Sequence, residues 1–422
     1  MAVSVRGAEH PWPLAEVDAL YPQLEKLYVD LHQNPELSLH EEKTAAKLAG
    51  RLRALGFEVT EHVGGTGIVG VLRNGPGPTV MLRTELDALP IEEQTGLPFG
   101  SRVKTRNDQG VEVSVMHACG HDIHMTCWSG AVTILARAKD RWRGTLVAIG
   151  QPAEERAMGA KAMLADGLFT KFPRPAFAVA FHDAATLPAG NVGYTSGPIC
   201  ASADSVDLTI YGRGGHGANP HLAVDPILIA ARTVVTLQSI VSRETNPLDP
   251  AVVTVGSIHG GTKHNIIPDE VKLQITVRAY RPEVRNHVLE AIARIARAEA
   301  QAAGAPREPV MEVVESCPVT VNDPALTERS VAALRLVLGE ERLIAMPPRT
   351  VSEDFSEYGL AGASTMILDL GAIEPGAFAE ARRSGRPVPG LHTAGFAPDR
   401  EPTIKTGVRA EVAVLLELLG KP

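Results

Sequence analysis

The sequence predicts an α/β protein: a central, mostly parallel sheet with helices on both faces, plus an inserted α+β ferredoxin-like satellite unit. Three observations predict it. Short apolar runs that end in polar residues recur at 79–82, 145–149 and 176–181, the form of buried parallel strands. Helical periodicity fills stretches between them, as at 122–139. Between 206 and 315 the rhythm becomes strand, helix, strand, strand, helix, strand, the ferredoxin-like order, before α/β character returns with a strand at 364–370.

Each element has a local reason. Residues 14–33 read as a helix because Leu20, Leu24, Leu27 and Leu31 recur at helical spacing. Ser38, Leu39, His40 and Glu41 read as a capping box opening a second helix, which runs to Leu55 and stops at Gly56. The three apolar runs are followed by Glu85 and Asp87, by Gln151 to Glu155, and by His182 and Asp183. Ligands of open α/β sheets bind outside the carboxyl ends of strands, so these three groups are expected to share one site.

In the inserted part, 206–211 alternates as a strand and 222–243 reads as a long helix. Strands at 252–258 and 270–279 flank a turn with Pro268 and Asp269, 283–303 is helical, and 309–315 closes the set. The expected organisation is a discontinuous unit of 1–200 and 312–422 around an inserted unit of 201–311. The stretch 377–390, rich in Ala, Arg, Gly and Pro, reads as an exposed loop.

Composition removes whole classes of function. Of 422 residues, 44% are apolar and 21% charged, as in ordinary globular proteins. The net charge of −8 gives no drive toward nucleic acid or an anionic membrane. No apolar run approaches the roughly 18 residues a membrane span needs. The first residues lack the apolar stretch of a signal peptide, and the expected location is the cytoplasm. Four cysteines are too few for a disulfide framework at this size. Cys127, Cys200 and Cys317 are expected to pack as small apolar groups, whereas Cys119 sits among histidines.

The densest chemical cluster is His117, Ala118, Cys119, Gly120, His121, Asp122, Ile123 and His124. Imidazole and thiolate are good ligands for zinc and neighbouring transition metals. A zinc finger fits poorly, because no second Cys/His pair stands nearby at finger spacing. Hydrolysis at a metal also needs a base, and the tandem Glu154 and Glu155 can supply one ligand and one base. Spacing alone leaves open which is which. In the inserted part, the glycine-rich turn 212–221 carries His216 and His221 but lacks the Lys-Ser/Thr of a phosphate loop. A second polar turn, 260–265, ends in Asn265.

The set MHACGHDIHM, GQPAEE, GRGGHGANPH, GTKHNIIP and LHTAGF resembles the metal-dependent amidohydrolases and carboxypeptidases that include aminoacylases, hippurate hydrolases and indole-3-acetyl-amino-acid hydrolases. The resemblance runs from about residue 25 to 415 and lies closest to the branch with an HACGHD motif. It implies two divalent metal ions per subunit, with zinc, manganese, cobalt and nickel all compatible. It implies that Cys119 bridges the ions, that His121, Glu155, His182 and His392 bind them, and that Asp87 orients a ligand. Glu154 would be the general acid/base. His216 and Asn265 match residues that reach a partner subunit's active site and bind the reacting carbonyl or carboxylate, implying a homodimer through the inserted unit, with a tetramer as a further option. Arg278 is a candidate clamp for the substrate's carboxylate. His117 and His124 would support the site.

The implied activity is hydrolysis of the amide bond of N-acyl amino acids or related small amides. A dipeptidase or metallocarboxypeptidase is the near alternative, and a non-catalytic metal- or ligand-binding protein the distant one. Three departures from the family pattern stand out. Glu85 replaces an Asp, the segment after His182 lacks the usual aromatic-containing form, and Arg156-Ala157-Met158 replaces a glycine-rich stretch.

Overall fold

Four central strands of an eight-stranded sheet run parallel and bring their carboxyl ends to one edge. A computed structural model describes residues 15–421. The chain divides into two units, Met1–Gly197 with Asn322–Met346 and Tyr358–Pro422, and Pro198–Val321 with Pro347–Glu357. The second unit thus reaches beyond 201–311 and takes up a later passage that no periodicity marks.

The sheet of the first unit has the order Glu58–Glu61, Ile68–Asn74, Gly144–Gln151, Thr79–Glu85, Phe177–Pro188, Ser364–Ile373, Val192–Tyr194, Leu343–Ala345. Gly144–Gln151, Thr79–Glu85, Phe177–Pro188 and Ser364–Ile373 are the parallel centre. Antiparallel pairs flank it, Ile68–Asn74 on one side and Val192–Tyr194 on the other. The central strands are buried on both faces, which is why they read as continuous apolar runs.

The helix His121–Arg137 is buried from His121 to Leu135, with no solvated face. It packs between the sheet and the helices Ala15–Gln33 and Arg400–Leu418. A Cβ on Gly130 would lie 2.5 Å from Val408 and 3.0 Å from Leu24, so the three helices approach too closely there for any side chain. Trp128 donates to the Leu82 carbonyl at 3.3 Å and Trp142 to that of Leu135 at 3.0 Å, so both large rings are buried without orphaning their N–H groups.

The second unit carries a four-stranded antiparallel sheet in the order Ala251–His259, Glu270–Ala279, Ser202–Tyr211, Val310–Cys317. Strand Ser202–Tyr211 alternates strictly between buried and half-buried positions. Val206, Leu208 and Ile210 face a core shared with Ile292 and Ile295 of the helix Pro282–Ala302. This is the ferredoxin-like strand order. Buried Asp204 receives a two-pronged bond from Arg285, at 2.7 and 2.5 Å, joining sheet to helix.

Several expected elements differ. The helix read over 222–243 is Pro226–Ser239, capped by Asp225, which accepts from the Ile227 N–H, and it passes into a π-turn at Ile240–Glu244. The loop expected over 377–390 begins as a helix, Pro375–Ser384. Its proline occupies the first helical position and Gly385 ends it with φ 70°, so residues that look like breakers are a start and a stop. The capping box is also corrected. The helix begins at Glu42, Ser38 turns to Asp87, and Glu41 alone makes the backward bond, accepting from the Leu39 N–H at 2.9 Å.

Candidate metal centre

Gly120 sets the geometry of the cluster around Cys119. Its φ is +75°, and a Cβ there would lie 2.0 Å from Asp183 Oδ2, so only glycine lets the chain turn from Cys119 into the helix that opens at His121. The first helical turn then holds His121, Asp122 and His124, all buried.

His121 Nδ1 lies 2.8 Å from the Asp87 carbonyl oxygen, which places a proton on that atom and turns Nε2 toward the cluster. Nε2 is buried without a hydrogen-bond partner and lies 3.9 Å from Glu154 Oε2 and from Glu155 Oε1. Glu155 Oε1 is likewise buried and unpartnered. His182 repeats the arrangement: Nδ1 lies 2.8 Å from the Asp183 carbonyl, and Nε2 faces Cys119 Sγ at 3.5 Å. Burial and the neighbouring charge of His124 hold the His182 pKa well below the ordinary range, which keeps it the neutral ligand form.

His392 arrives from far along the chain. Its N–H donates to the Ala118 carbonyl at 2.8 Å and its φ is 61°. Nε2 lies 3.1 Å from Cys119 Sγ and 3.4 Å from Glu155 Oε2. The bond to Glu155 raises the His392 pKa.

Glu154 and Glu155 sit on a single 3-10 turn, Glu154–Arg156, directly after the strand Gly144–Gln151. Buried Asp87 holds this turn by both oxygens: Oδ1 accepts from the Glu154 N–H at 3.2 Å and Oδ2 from the Glu155 N–H at 3.1 Å. Ser38 donates to the same Oδ2 at 2.6 Å. Burial would raise the Asp87 pKa, but the bonds and charge from His121 and the bond from Ser38 lower it on balance. Ala153 and Ala157 flank the turn with φ 48° and 50°. Among the described residues only five non-glycines are left-handed, Leu39, His62, Ala153, Ala157 and His392, so the strain gathers around this cluster.

The electrostatics call for a cation. Burial lowers the His121 pKa, but the bond to Asp87 and the charges of Glu85, Asp87 and Glu155 outweigh it and bring it to about 10. Burial and the charges of Glu155, Glu154, Asp183 and Glu85 push the Cys119 thiol well above its usual value. Excess carboxylate, unpartnered buried donors and a thiol between two imidazoles are together a donor set for soft or borderline divalent ions. Ligand atoms of Cys119, His121 and Glu155 lie within 4.8 Å of one another, and so do those of Glu85, His121, His124 and His182.

Beneath this layer His124 is held between Glu85 at 3.1 Å and Asp183 at 3.0 Å, while Glu85 also pairs with buried Arg83. Glu85 is the residue that replaces an Asp. His117 is buried with neither ring nitrogen partnered, and burial lowers its pKa to about 4.

The structure thus gathers Cys119, His121, Glu154, Glu155, His182, His392 and Asp87 in the first unit. One detail differs. His182 does not follow its strand but lies inside Phe177–Pro188, because the parallel ladder continues with His182 opposite Asp369 and Asp183 opposite Leu370. His216, Asn265 and Arg278 belong to the second unit. His216 is exposed, its Nδ1 accepts from the Ala218 N–H at 3.1 Å, and Nε2 therefore carries the proton. The Gly217 N–H donates to the Asn265 carbonyl at 2.9 Å, tying the two polar turns together. Arg278 is half-buried and donates to Ser352 at 3.3 Å.

Sequence reasoning missed His32 and the role of Glu41. His32 lies 2.6 Å from Asp122 and 3.2 Å from Glu93. Burial opposes its charge, but these two carboxylates bring its pKa to about 10. Its signal is a histidine one residue past Leu31, on the buried face of an amphipathic helix.

The model of peptidase family M20/M25/M40 matches residues 81–381. A hippurate hydrolase of Campylobacter jejuni is 38% identical over 350 residues, 82% of this chain and 87% of that protein. Thermostable carboxypeptidase 2 of Saccharolobus solfataricus is 34% identical over 395 residues, covering 93% and 94%. The crystal structure of the YXEP protein of Bacillus subtilis, described as a dinuclear metal binding peptidase, superposes with a TM-score of 0.77 at 29% identity, covering 95% of this chain and 100% of that one.

Proposed function

The chain belongs to peptidase family M20/M25/M40 and is a metal-dependent amide hydrolase, and from that premise we propose that it binds two divalent ions and cleaves N-acyl amino acids or related small amides. Cys119, His121, Glu155, His182 and His392 are the residues that would hold them. The observation that carries this reading is the pair of buried, unpartnered atoms His121 Nε2 and Glu155 Oε1, 3.9 Å apart beside the thiol. Bound there, divalent ions would make a water more acidic and polarise the scissile carbonyl.

The chain's own groups do the rest. Glu154 accepts a proton from the attacking water as the new C–O bond forms. It returns that proton to the nitrogen as the C–N bond breaks, releasing a carboxylic acid and an amine. Asp87 fixes both backbone N–H groups of the Glu154–Glu155 turn, so the base and the ligand move as one piece. His216 carries a proton on an exposed Nε2, the form able to donate to a developing oxyanion. Arg278 and Asn265 bind the substrate's carboxylate end. The protein works as a homodimer in which His216 and Asn265 serve the partner's site, in keeping with their place on exposed turns. A cytoplasmic setting fits the four free cysteines. No helix among the described residues is long and apolar enough to cross a membrane.

The likeness to a carboxypeptidase over almost the whole chain favours a second reading, action on dipeptides or C-terminal residues. A panel of N-acetyl, N-benzoyl and N-carbobenzoxy amino acids beside dipeptides, given to reduced, metal-loaded protein, separates the two. Amine release confined to the acylated amino acids supports the aminoacylase reading, and release confined to the dipeptides replaces it. Two bound ions without release from either set would favour the binding-protein alternative.

A further inference from the structure

Glu41 is a completely buried carboxylate, far from Glu154 in sequence, that no catalytic step uses. Its Oε1 accepts two backbone N–H bonds, from Leu39 at 2.9 Å and from Ala153 at 2.8 Å. Its Oε2 accepts from the Thr66 hydroxyl at 2.6 Å. Both N–H donors belong to left-handed non-glycine residues, Leu39 at φ 71° and Ala153 at φ 48°. Ala153 is fully buried and immediately precedes Glu154. An alanine in this conformation is strained, and such strain persists only where surrounding bonds over-determine it.

We propose that Glu41 is a positioning residue for hydrolysis: by holding the Ala153 N–H it keeps that residue left-handed and so aims the Glu154–Glu155 turn into the metal centre. Asp87 holds the turn from its Glu154 and Glu155 N–H groups, and Glu41 holds the residue that enters it. Ser38 and Glu41, three residues apart, therefore serve the two halves of one cradle, Ser38 through Asp87 and Glu41 directly. What the turn needs from Glu41 is an acceptor, not a charge. A glutamine could keep Oε1 on both N–H groups and turn its amide toward the Thr66 hydroxyl, which can accept.

The proposal rests on the metal-site reading, and its test separates the two. Glu41→Ala, Glu41→Gln, Ala153→Gly and the double variant Glu41→Ala/Ala153→Gly are compared with the wild type. Metal affinity is read by competition with a chromogenic chelator, and kcat and KM on the best substrate of the panel. Loss of a supporting partner of a metal site usually costs about 10–100-fold in affinity or activity, and Glu41→Ala should fall in that range. Glu41→Gln should stay close to wild type. The double variant should recover most of the loss, because glycine takes the left-handed conformation without being held there. A merely structural role would not be repaired by a glycine at position 153.

If Glu41→Ala does not fold, Glu41→Asp, which withdraws the carboxylate by one methylene, takes its place in the cycle. Wild-type affinity and kinetics in Glu41→Ala, or no recovery in the double variant while Ala153→Gly alone is active, would overturn the proposal. A wild-type protein that binds no divalent ion would overturn the metal-site reading and the proposal with it.

Discussion

His392 Nε2 lies 3.1 Å from Cys119 Sγ across 273 residues of sequence. The contact joins a strained loop to the tight turn before a buried helix, and it closes the cluster on the side where His392 meets solvent. His392→Ala should therefore leave the fold intact and remove one metal ligand. Elemental analysis after dialysis should find fewer than two ions per chain, with kcat lower by at least about a hundredfold, the upper end of what even a supporting residue costs. Two retained ions and normal turnover would exclude His392 from the ligand set.

Gly120 and Gly385 provide a controlled pair. Both are left-handed, at φ 75° and 70°, but a Cβ on Gly120 would meet Asp183 Oδ2 at 2.0 Å while one on Gly385 would meet nothing within 4 Å. Gly385→Ala should cost only the backbone strain, about 1 kcal/mol. Gly120→Ala must also displace Asp183 and with it His124, so it should cost several-fold more in stability and abolish metal binding. Denaturant unfolding of the two variants decides this, and equal costs would contradict the close-approach reading.

Glu411 is buried in the helix Arg400–Leu418, with Oε2 unpartnered, and burial raises its pKa well above the usual carboxylate range. The folded state then holds a proton that the unfolded state gives up above about pH 4.5, so this group's contribution to stability falls as pH rises from that value toward the folded pKa. Glu411→Gln should abolish the dependence. Its melting temperature should exceed wild type by a few degrees at pH 8, and the difference should shrink toward pH 4.5. A difference independent of pH would show that Glu411 is not the titrating group.

Shared sites predict complementation between dead subunits. Glu154→Gln and His216→Ala homodimers should each be nearly inactive. After verified subunit exchange, one site in each mixed dimer is intact, and activity should return to about a quarter of wild type. No recovery would mean that His216 serves its own subunit.

Much of this was legible in sequence because it depends on short-range chemistry. The strands at 79–82, 145–149 and 176–181 stood out as apolar runs because both faces of the parallel sheet are covered. The histidines and cysteine of 117–124 stood out because metal ligands are rare residue types at close spacing. What stayed hidden depends on distant partners. Ser38 and Glu41 have the spacing of a capping box, and only the folded chain reveals that Asp87 and the Ala153 N–H are their partners. His32 looks like an ordinary helix residue until Asp122 and Glu93 close on it. Gly385, inside the stretch 377–390, reads as a loop residue because a helix stop uses the same amino acid as a turn.

In the mechanism we propose, Glu154 moves protons at a two-ion centre held by Cys119, His121, Glu155, His182 and His392. Metal content and turnover measured together in Glu154→Gln separate a base from a ligand. Two ions per chain as in the wild type, with kcat lower by about 10²–10⁴-fold, is the predicted result. Wild-type turnover in that variant would contradict the assignment of the base, and loss of the ions themselves would make Glu154 a ligand instead.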